Sequence, residues 1–401
     1  MPHDTPQPFI KALPWLLSLS LVFFFNFSAR VILSPLLPTI ETELGLDHAR
    51  AGRLFMWSSL GYGLSMLGSG ILASRITHRT VIALSAAAMM TMLAALASCH
   101  NRVGFEILLF SFGLATGLYL PSGVVTATSM VAPKDFGKAI AVHELAPNLA
   151  LLTTPLLAAI FLSYTGWRTG MIWLGLASGF IGIGYGIVGC GGRFYAVPPK
   201  RKRLVTFLRQ QTFWRIALLF CLAIGASIGP YSMLPLFLTT EHGLSLAKAN
   251  QLLTLSRVVS LITATAVGAA VDRLGPQRTI KSYLLLTGAT TVALGMTQGP
   301  WLTATVLCQS VCAVTFFPAG FAALALLYPA RLYSEVVALI ISLSVIVGNG
   351  LTPAILGWMG RDGNFGLGFV ALGLLVWAGL WILMKLRLPD HTDPKLHLSH
   401  Q

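Results

Sequence analysis

Gly268-Ala269-Ala270-Val271-Asp272-Arg273-Leu274-Gly275-Pro276-Gln277-Arg278 closes one long apolar run, makes a tight basic turn, and opens another apolar run at Thr279. The same punctuation stands earlier, at Gly70-Ile71-Leu72-Ala73-Ser74-Arg75-Ile76-Thr77-His78-Arg79. Gly70 and Gly268 are 198 positions apart, as are Arg75 and Arg273, in a chain of 401 residues. An offset of nearly half the length marks a duplication, and the apolar runs on either side mark a membrane protein.

Composition bounds the class. Hydrophobic residues make up 55% and charged residues only 10%, against about 25% charged in a soluble domain. A hydrocarbon core about 30 Å thick needs about 20 apolar residues per helix, so the length holds roughly twelve spans and no sizeable soluble domain. The formal charge of +14 is spread through the loops between apolar runs. That placement speaks for membrane topology rather than nucleic acid. Cys99, Cys190, Cys221, Cys308 and Cys312 form no CxxC pair. They read as small packing residues, not as a metal or disulfide set. The apolar stretch from Leu13 to Leu37 is too long for a signal-peptide core and reads as the first span.

The expected spans are 13–38, 49–72, 80–98, 104–131, 138–162, 168–190, 213–239, 247–271, 279–297, 300–328, 333–358 and 365–387. Twelve spans put both termini on one side. The loops on that side carry 19 of the 27 Lys and Arg, and the opposite loops carry 6. The excess assigns both termini to the cytoplasm. The two remaining basic residues, Arg30 and Arg257, fall inside spans. The division is a six-span bundle at 1–190, a basic linker at 191–212 containing Pro198-Pro199-Lys200-Arg201-Lys202-Arg203, and a second six-span bundle with a short tail at 213–401. The linker reads as a tether lying along anionic lipid.

The repeat continues beyond the turn. Gly45, Leu46 and Ala49 match Gly243, Leu244 and Ala247 at 198, Pro155 matches Pro353 at 198, and Pro121 and Gly123 match Pro318 and Gly320 at 197. Two parallel halves joined by a loop form one layout of secondary transporters. The chain resembles the major facilitator superfamily over essentially its whole length. The loop motif carries that resemblance most specifically, with the pattern Gly-x-x-x-Asp-Arg-x-Gly-x-x-Arg. Gly268, Asp272, Arg273, Gly275 and Arg278 fit it. In the first copy Gly70 and Arg75 are in place, but Ser74 stands for the acid and Thr77 for the second glycine. The resemblance implies an all-α fold of two six-helix bundles, alternating access, and a cytoplasmic conformational latch formed by these turn residues. The missing acid assigns more of that latch to the second copy. The motif also has its own physics, because glycine lets helices approach closely and an acid at a helix end meets a positive helix N-terminus.

Charges in hydrocarbon cost about 2.5–3.5 kcal/mol or more and call for a reason. Arg30 lies in span 1 with Asn26 one turn before it on the same face, and Arg257 lies near the middle of span 8. The resemblance implies that spans 1, 4, 7 and 10 line a cavity flanked by spans 2, 5, 8 and 11. One arginine from each half then suits a bound anion, since a guanidinium grips carboxylate or phosphate in a two-pronged fork. The competing reading pairs either arginine with Glu144 or with helix carbonyls. Glu144 lies in span 5, about six residues past its start and ~9 Å deep at 1.5 Å per residue. It reads either as a proton carrier or as the fixed partner of an arginine. His143, beside it, titrates near neutral pH in ordinary surroundings, although adjacent positions do not share a helix face. Tyr62 in span 2 and Tyr231 in span 7 are the preferred neutral lining residues, each with a hydroxyl that needs a partner. Tyr119, Gln309, Phe317 and Asn349 are secondary candidates, and Glu335 reads as a carboxylate at the start of span 11.

Absences narrow the chemistry. His143-Glu144 is not the start of HExxH, because position 147 is Pro147, and no GxxxxGK[ST] occurs. Neither a metal enzyme nor an ATP-driven pump is supported, and no cofactor is called for. The reading is a permease of the inner (cytoplasmic) membrane, sufficient as a monomer, that takes a small organic anion, a carboxylate, as symporter with protons or by exchange. The alternatives are a multidrug exporter of the same fold and, in another class, a non-transporting receptor built on it. Few buried acids speak against a cationic substrate.

Overall fold

The computed structural model describes residues 7–198, 206–386 and 388, with the side chains of 264–270, 272, 330, 331 and 334 outside the described residues. The chain divides into two compact units: Met1–Leu46 with Leu54–Pro199, and Asp47–Arg53 with Lys200–Gln401. The first contains α1 (Phe9–Val31), α2 (Leu33–Leu44), most of α3 (His48–Ala73), α4 (His78–Ala97), α5 (Arg102–Gly117), α6 (Tyr119–Ser129), α7 (Phe136–Tyr164) and α8 (Gly166–Val188). The second contains α9 (Gln211–Thr240), α10 (Leu246–Leu274), α11 (Pro276–Met296), α12 (Leu302–Ala313), α13 (Phe316–Leu327), α14 (Ala330–Ser344), a π-helical segment Val345–Leu351, α15 (Thr352–Gly360) and α16 (Phe365–Met384). Among the described residues there is no named strand, only an isolated bridge between Gln7 and Val131.

Four expected spans are broken, and three of the breaks sit four residues before or beside a proline. Pro35 has no N–H for the carbonyl of Val31, where α1 ends. Pro121 stands in the same relation to Gly117, the last residue of α5, and Pro318 to Val314, which follows α12. A proline both removes that bond and crowds the carbonyl. The breaks at α5/α6 and α12/α13 therefore repeat with the 197-residue offset of their prolines. The fourth interruption is the π segment, which ends just before Pro353.

The two units pair their helices alike. In the first, α4 packs most extensively on α8 and α1 on α7; in the second, α11 packs on α16 and α9 on the helices of span 11. Between α3 and α5 the backbones nearly touch. A Cβ on Gly113 or Gly117 would strike the carbonyl oxygen of Ser58 or Tyr62, so only glycine admits this crossing.

Nine helical stretches among the described residues are long and apolar enough to cross a bilayer. Three further helices have spanning length: α3, α10 and α11, at 26, 29 and 21 residues. Together they account for the twelve expected spans. Large apolar side chains also point outward, with Phe180 73%, Ile187 70% and Trp381 59% exposed. Such a surface is stable only against lipid or another apolar partner.

The described beginning of the linker is bound to the first unit. The Arg79 and His78 amides donate to the carbonyls of Gly192 (2.8 Å) and Phe194 (3.1 Å), and the Ala196 amide donates to Ala73 (2.8 Å). The first N–H groups of a helix lack intrahelical partners, and this stretch supplies two of them for α4. The basic run at 200–203 lies outside the described residues.

Candidate anion and proton sites

In the first unit Arg30 occupies the last turn of α1, just before the break at Ile32. Its Cζ stands 3.6 Å from the centroid of the Tyr62 ring and 5.2 Å from that of Phe27. Aromatic faces attract a guanidinium, and more strongly where water is excluded. Asn26 is buried and donates through Nδ2 to the carbonyl of Thr116 at 3.2 Å, which ties α1 to α5. Its amide is therefore engaged in packing on that side.

The second unit builds a similar stack with the roles exchanged. Here the tyrosine is on span 7 and the arginine on span 8. The Arg257 Cζ lies 4.5 Å from the Tyr231 centroid, and Nη2 donates to the carbonyl of Ser227 at 3.3 Å. Arg257 is 6% exposed, and its Nε and Nη1 have no hydrogen-bond partner among the described residues. Gln309 lies nearby in the same layer, donating to Ala226 at 2.8 Å, and Ser260 meets Ser310 at 2.9 Å. Among the described residues neither Arg30 nor Arg257 is ion-paired to a carboxylate. Of the competing reading, the pairing with Glu144 is not seen among the described residues, whereas Arg257 does meet a helix carbonyl, that of Ser227.

Span 5 carries a second cluster. His143 is 1% exposed and stacks on Phe23 with centroids 4.5 Å apart. Its Nε2 is 3.2 Å from the Tyr119 hydroxyl, which itself donates to the carbonyl of Leu19 at 2.9 Å. His143 Nδ1 is 3.4 Å from Glu144 Oε1. The two do lie on different faces, since Glu144 is 49% exposed. They meet because the glutamate side chain bends back across the helix. Glu144 is thus half open rather than deeply buried.

Sequence reasoning missed a pair of carboxylate clamps. Glu43 accepts from Trp167 Nε1 and from Arg168 Nε, the latter at 2.7 Å. Glu241, 198 positions on, accepts from the amides of Phe365 (2.5 Å) and Gly366 (3.3 Å). Position 167 matches 365 and 168 matches 366 at the same offset, which was the available signal.

With this geometry in view, comparison with known proteins is direct. The sequence matches the profile of the Major Facilitator Superfamily over residues 19–300 and again over 216–400. The chain belongs to that superfamily. Among curated superfamily relatives it is 23% identical over 242 residues to an uncharacterized MFS-type transporter of Mycobacterium tuberculosis (strain ATCC 25618 / H37Rv), covering 60% of this chain and 54% of that protein. It is 27% identical over 168 residues to a probable L-galactonate transporter of Escherichia coli (strain K12), covering 41% and 37%. The matched stretch thus spans about half of the first relative's length and about a third of the second's. In fold it is similar to a bacterial homolog of the human lysosomal transporter Spinster, in an inward-facing and occupied conformation. That likeness has a TM-score of 0.79 at 16% identity over 97% of this chain and 99% of the other. The superfamily membership and the apolar helices make this an integral membrane protein.

The superfamily's loop motif takes different forms in the two copies. Gly70 lies in the last turn of α3 and Arg75 in the turn that follows it, where it is exposed. Arg79 is instead 5% exposed and donates through Nε and Nη2 to the carbonyls of Gly186 (2.9 Å) and Ile187 (2.6 Å). A cation there answers the negative end of α8. In the second copy Gly275 has φ 75°, ends α10 and hands over to Pro276 at the start of α11. Arg273 and Arg278 are exposed, while the side-chain positions of Gly268 and Asp272 lie outside the described residues.

Proposed function

We propose that this chain is a secondary transporter, not an enzyme, that moves a small organic anion, a carboxylate, across the cytoplasmic membrane by proton coupling or exchange. The single observation that carries this reading is Arg257: a charge 6% exposed, with Nε and Nη1 unpartnered among the described residues. A buried cation with unmet donors is costly to the empty protein, and a carboxylate supplies both the charge and the acceptors. Arg30 on Tyr62 is a second cation held by a ring rather than by a counter-charge. The E. coli relative named for L-galactonate supports an organic acid as the substrate class. Asn26, Tyr62 and Tyr231 support the two arginines. Gly70, Arg75, Gly268, Asp272, Arg273, Gly275 and Arg278 form the conformational latch. Both termini are cytoplasmic, and one chain suffices.

The test is a thermal-shift screen of detergent-purified protein with carboxylates, galactonate among them, organic phosphates, neutral sugars and lipophilic cations. A ligand at 100 times its Kd raises stability by about 2.7 kcal/mol. Stabilisation by anions, weakened at least ~30-fold in affinity (about 2 kcal/mol) by Arg257→Ala, is the expected result. Stabilisation by lipophilic cations alone, unchanged in Arg257→Ala, would move the protein to the exporter reading.

A further inference from the structure

We infer that Tyr119, His143 and Glu144 form a binding site for a single proton, placed between His143 Nδ1 and Glu144 Oε1, with Tyr119 as the residue that positions it. The inference deepens the transport reading above and rests on it only for what the proton is used for.

The argument begins with the tyrosine. A phenol has one hydrogen, and Tyr119 gives it to the Leu19 carbonyl at 2.9 Å. Its oxygen therefore meets His143 Nε2, at 3.2 Å, as an acceptor, and Nε2 carries a hydrogen. The imidazole is held against turning, being 1% exposed and lying on the face of Phe23, with the near-parallel Tyr119 ring beside it on the same face. The other nitrogen is thereby left as the variable position, and it faces a carboxylate oxygen at 3.4 Å. Without a further proton, a lone pair and a carboxylate oppose one another. With one, the two share a hydrogen bond. The step adds H⁺ from water and breaks no bond in the protein. The charge of the pair passes from −1 to 0. Glu144 is 49% exposed where the ring is 1% exposed, so the carboxylate is the end of the pair that a proton reaches first.

Among the described residues the surroundings hold no competing cation at contact. α6 presents Tyr119, α8 presents Tyr185, and α3 presents Tyr62, stacked by Arg30 of α1. α2 carries Glu41 and Glu43, the latter held by Trp167 and Arg168. Lys138, near the start of α7, is paired with Asp135 at 2.8 Å. Among the described residues His143 is the one ion-pair contact of Glu144. His143 stacks on Phe23 of α1, the helix whose last turn carries Arg30. Neutralising the pair removes a negative charge from the same unit as that guanidinium, which favours an incoming anion. By reciprocity an anion there favours the proton.

The test is nitrogen NMR of the full chain labelled with ¹⁵N-histidine, with His143 assigned by its loss in His143→Gln. The expected spectrum at pH 8 shows Nε2 protonated and Nδ1 bare. On lowering the pH to 5 the Nδ1 signal changes while Nε2 keeps its hydrogen. Glu144→Gln removes the shared-proton signature, and Tyr119→Phe mixes the tautomers. A hydrogen on Nδ1 rather than Nε2 at pH 8, or an Nδ1 signal untouched by pH and by Glu144→Gln, overturns the site. In a second arm galactonate, and the other carboxylates of the screen, are titrated into the same protein between pH 8 and 5. Affinity rising by up to about tenfold per pH unit, the limit for one linked proton, and flat in Glu144→Gln, ties the site to the anion. If no carboxylate binds at any pH while the NMR result holds, the anion reading falls and the proton site stands.

Discussion

Arg257 concentrates the tension between stability and use in one side chain. Its two unpartnered nitrogens burden the empty state. Replacing a buried charge by an apolar residue of similar volume is often neutral or stabilising by about 1–4 kcal/mol. Arg257→Met should therefore raise the apparent melting temperature of the ligand-free protein by a few degrees, at about 2–4 °C per kcal/mol, and abolish anion-induced stabilisation. A melting temperature that falls would mean that the arginine holds helices together. His242 gives a second residue-scale expectation, outside the spans. Burial against Phe237 holds its imidazole below the ordinary range, and Glu241 pulls the other way. A histidine with a lowered folded value binds its proton better when unfolded, so its contribution is present above the unfolded value near 6.5 and is lost as pH falls through it. His242→Gln should flatten the drop in apparent melting temperature between pH 7.5 and 5.5. What was legible at this scale was the set of residues: Arg30, Arg257, Tyr62, Tyr231, His143 and Glu144 all stand out as polar groups in apolar text. Their partnerships were not legible. Which tyrosine stacks on which arginine depends on helix rotation, and the His143–Glu144 contact needs a bent rotamer that spacing does not reveal.

Helices show how the same duplication was written twice in different chemistry. Glu43 holds α8 through two side-chain donors, whereas Glu241 holds α16 through two backbone amides. The acid persists at the 198-residue offset while Trp167 and Arg168 give way to Phe365 and Gly366. A carboxylate on helix N-terminal amides contributes about 0.5–2 kcal/mol. Glu241→Ala should lower stability by about that much, and Glu241→Gln, which keeps an acceptor, by less, as read by thermal unfolding in detergent. The helix breaks were half legible. Pro35, Pro121 and Pro318 are visible in the sequence, yet Pro147, Pro155, Pro230 and Pro235 lie inside continuous helices. A missing N–H ends a helix only where neighbours accept the freed carbonyl, which is a tertiary fact. The α3–α5 crossing gives the sharpest element-scale test. Gly117→Val must force the Tyr62 backbone away from α5, so it should destabilise the first unit by several kcal/mol and weaken anion binding through the Arg30 stack, while Gly137→Val, with nothing within 4 Å, should leave the crossing untouched.

The molecule as a whole is where the sequence spoke most plainly, because bilayer thickness and the cost of moving charge act on every span at once. Three helices, α3, α10 and α11, stand outside the nine apolar stretches found among the described residues, and their length still counts them as spans. α3 and α10 are related by the repeat, and they carry Tyr62 and Arg257, one member of each arginine–tyrosine stack. The same asymmetry assigns sides, with 19 basic residues in the loops of the terminal side and 6 opposite. In a cysteine-free background, a cysteine at Asp362, exposed in the turn before α16, should react with a membrane-impermeant maleimide in intact cells. One at Lys134, exposed before α7, should react only after the membrane is opened. The reverse pattern would invert the chain in the membrane. It would also place the half-exposed Glu144, which lies near the Lys134 end of α7, toward the outer face, so that the proton of the His143–Glu144 pair would be taken from the outside rather than given up to the cytoplasm.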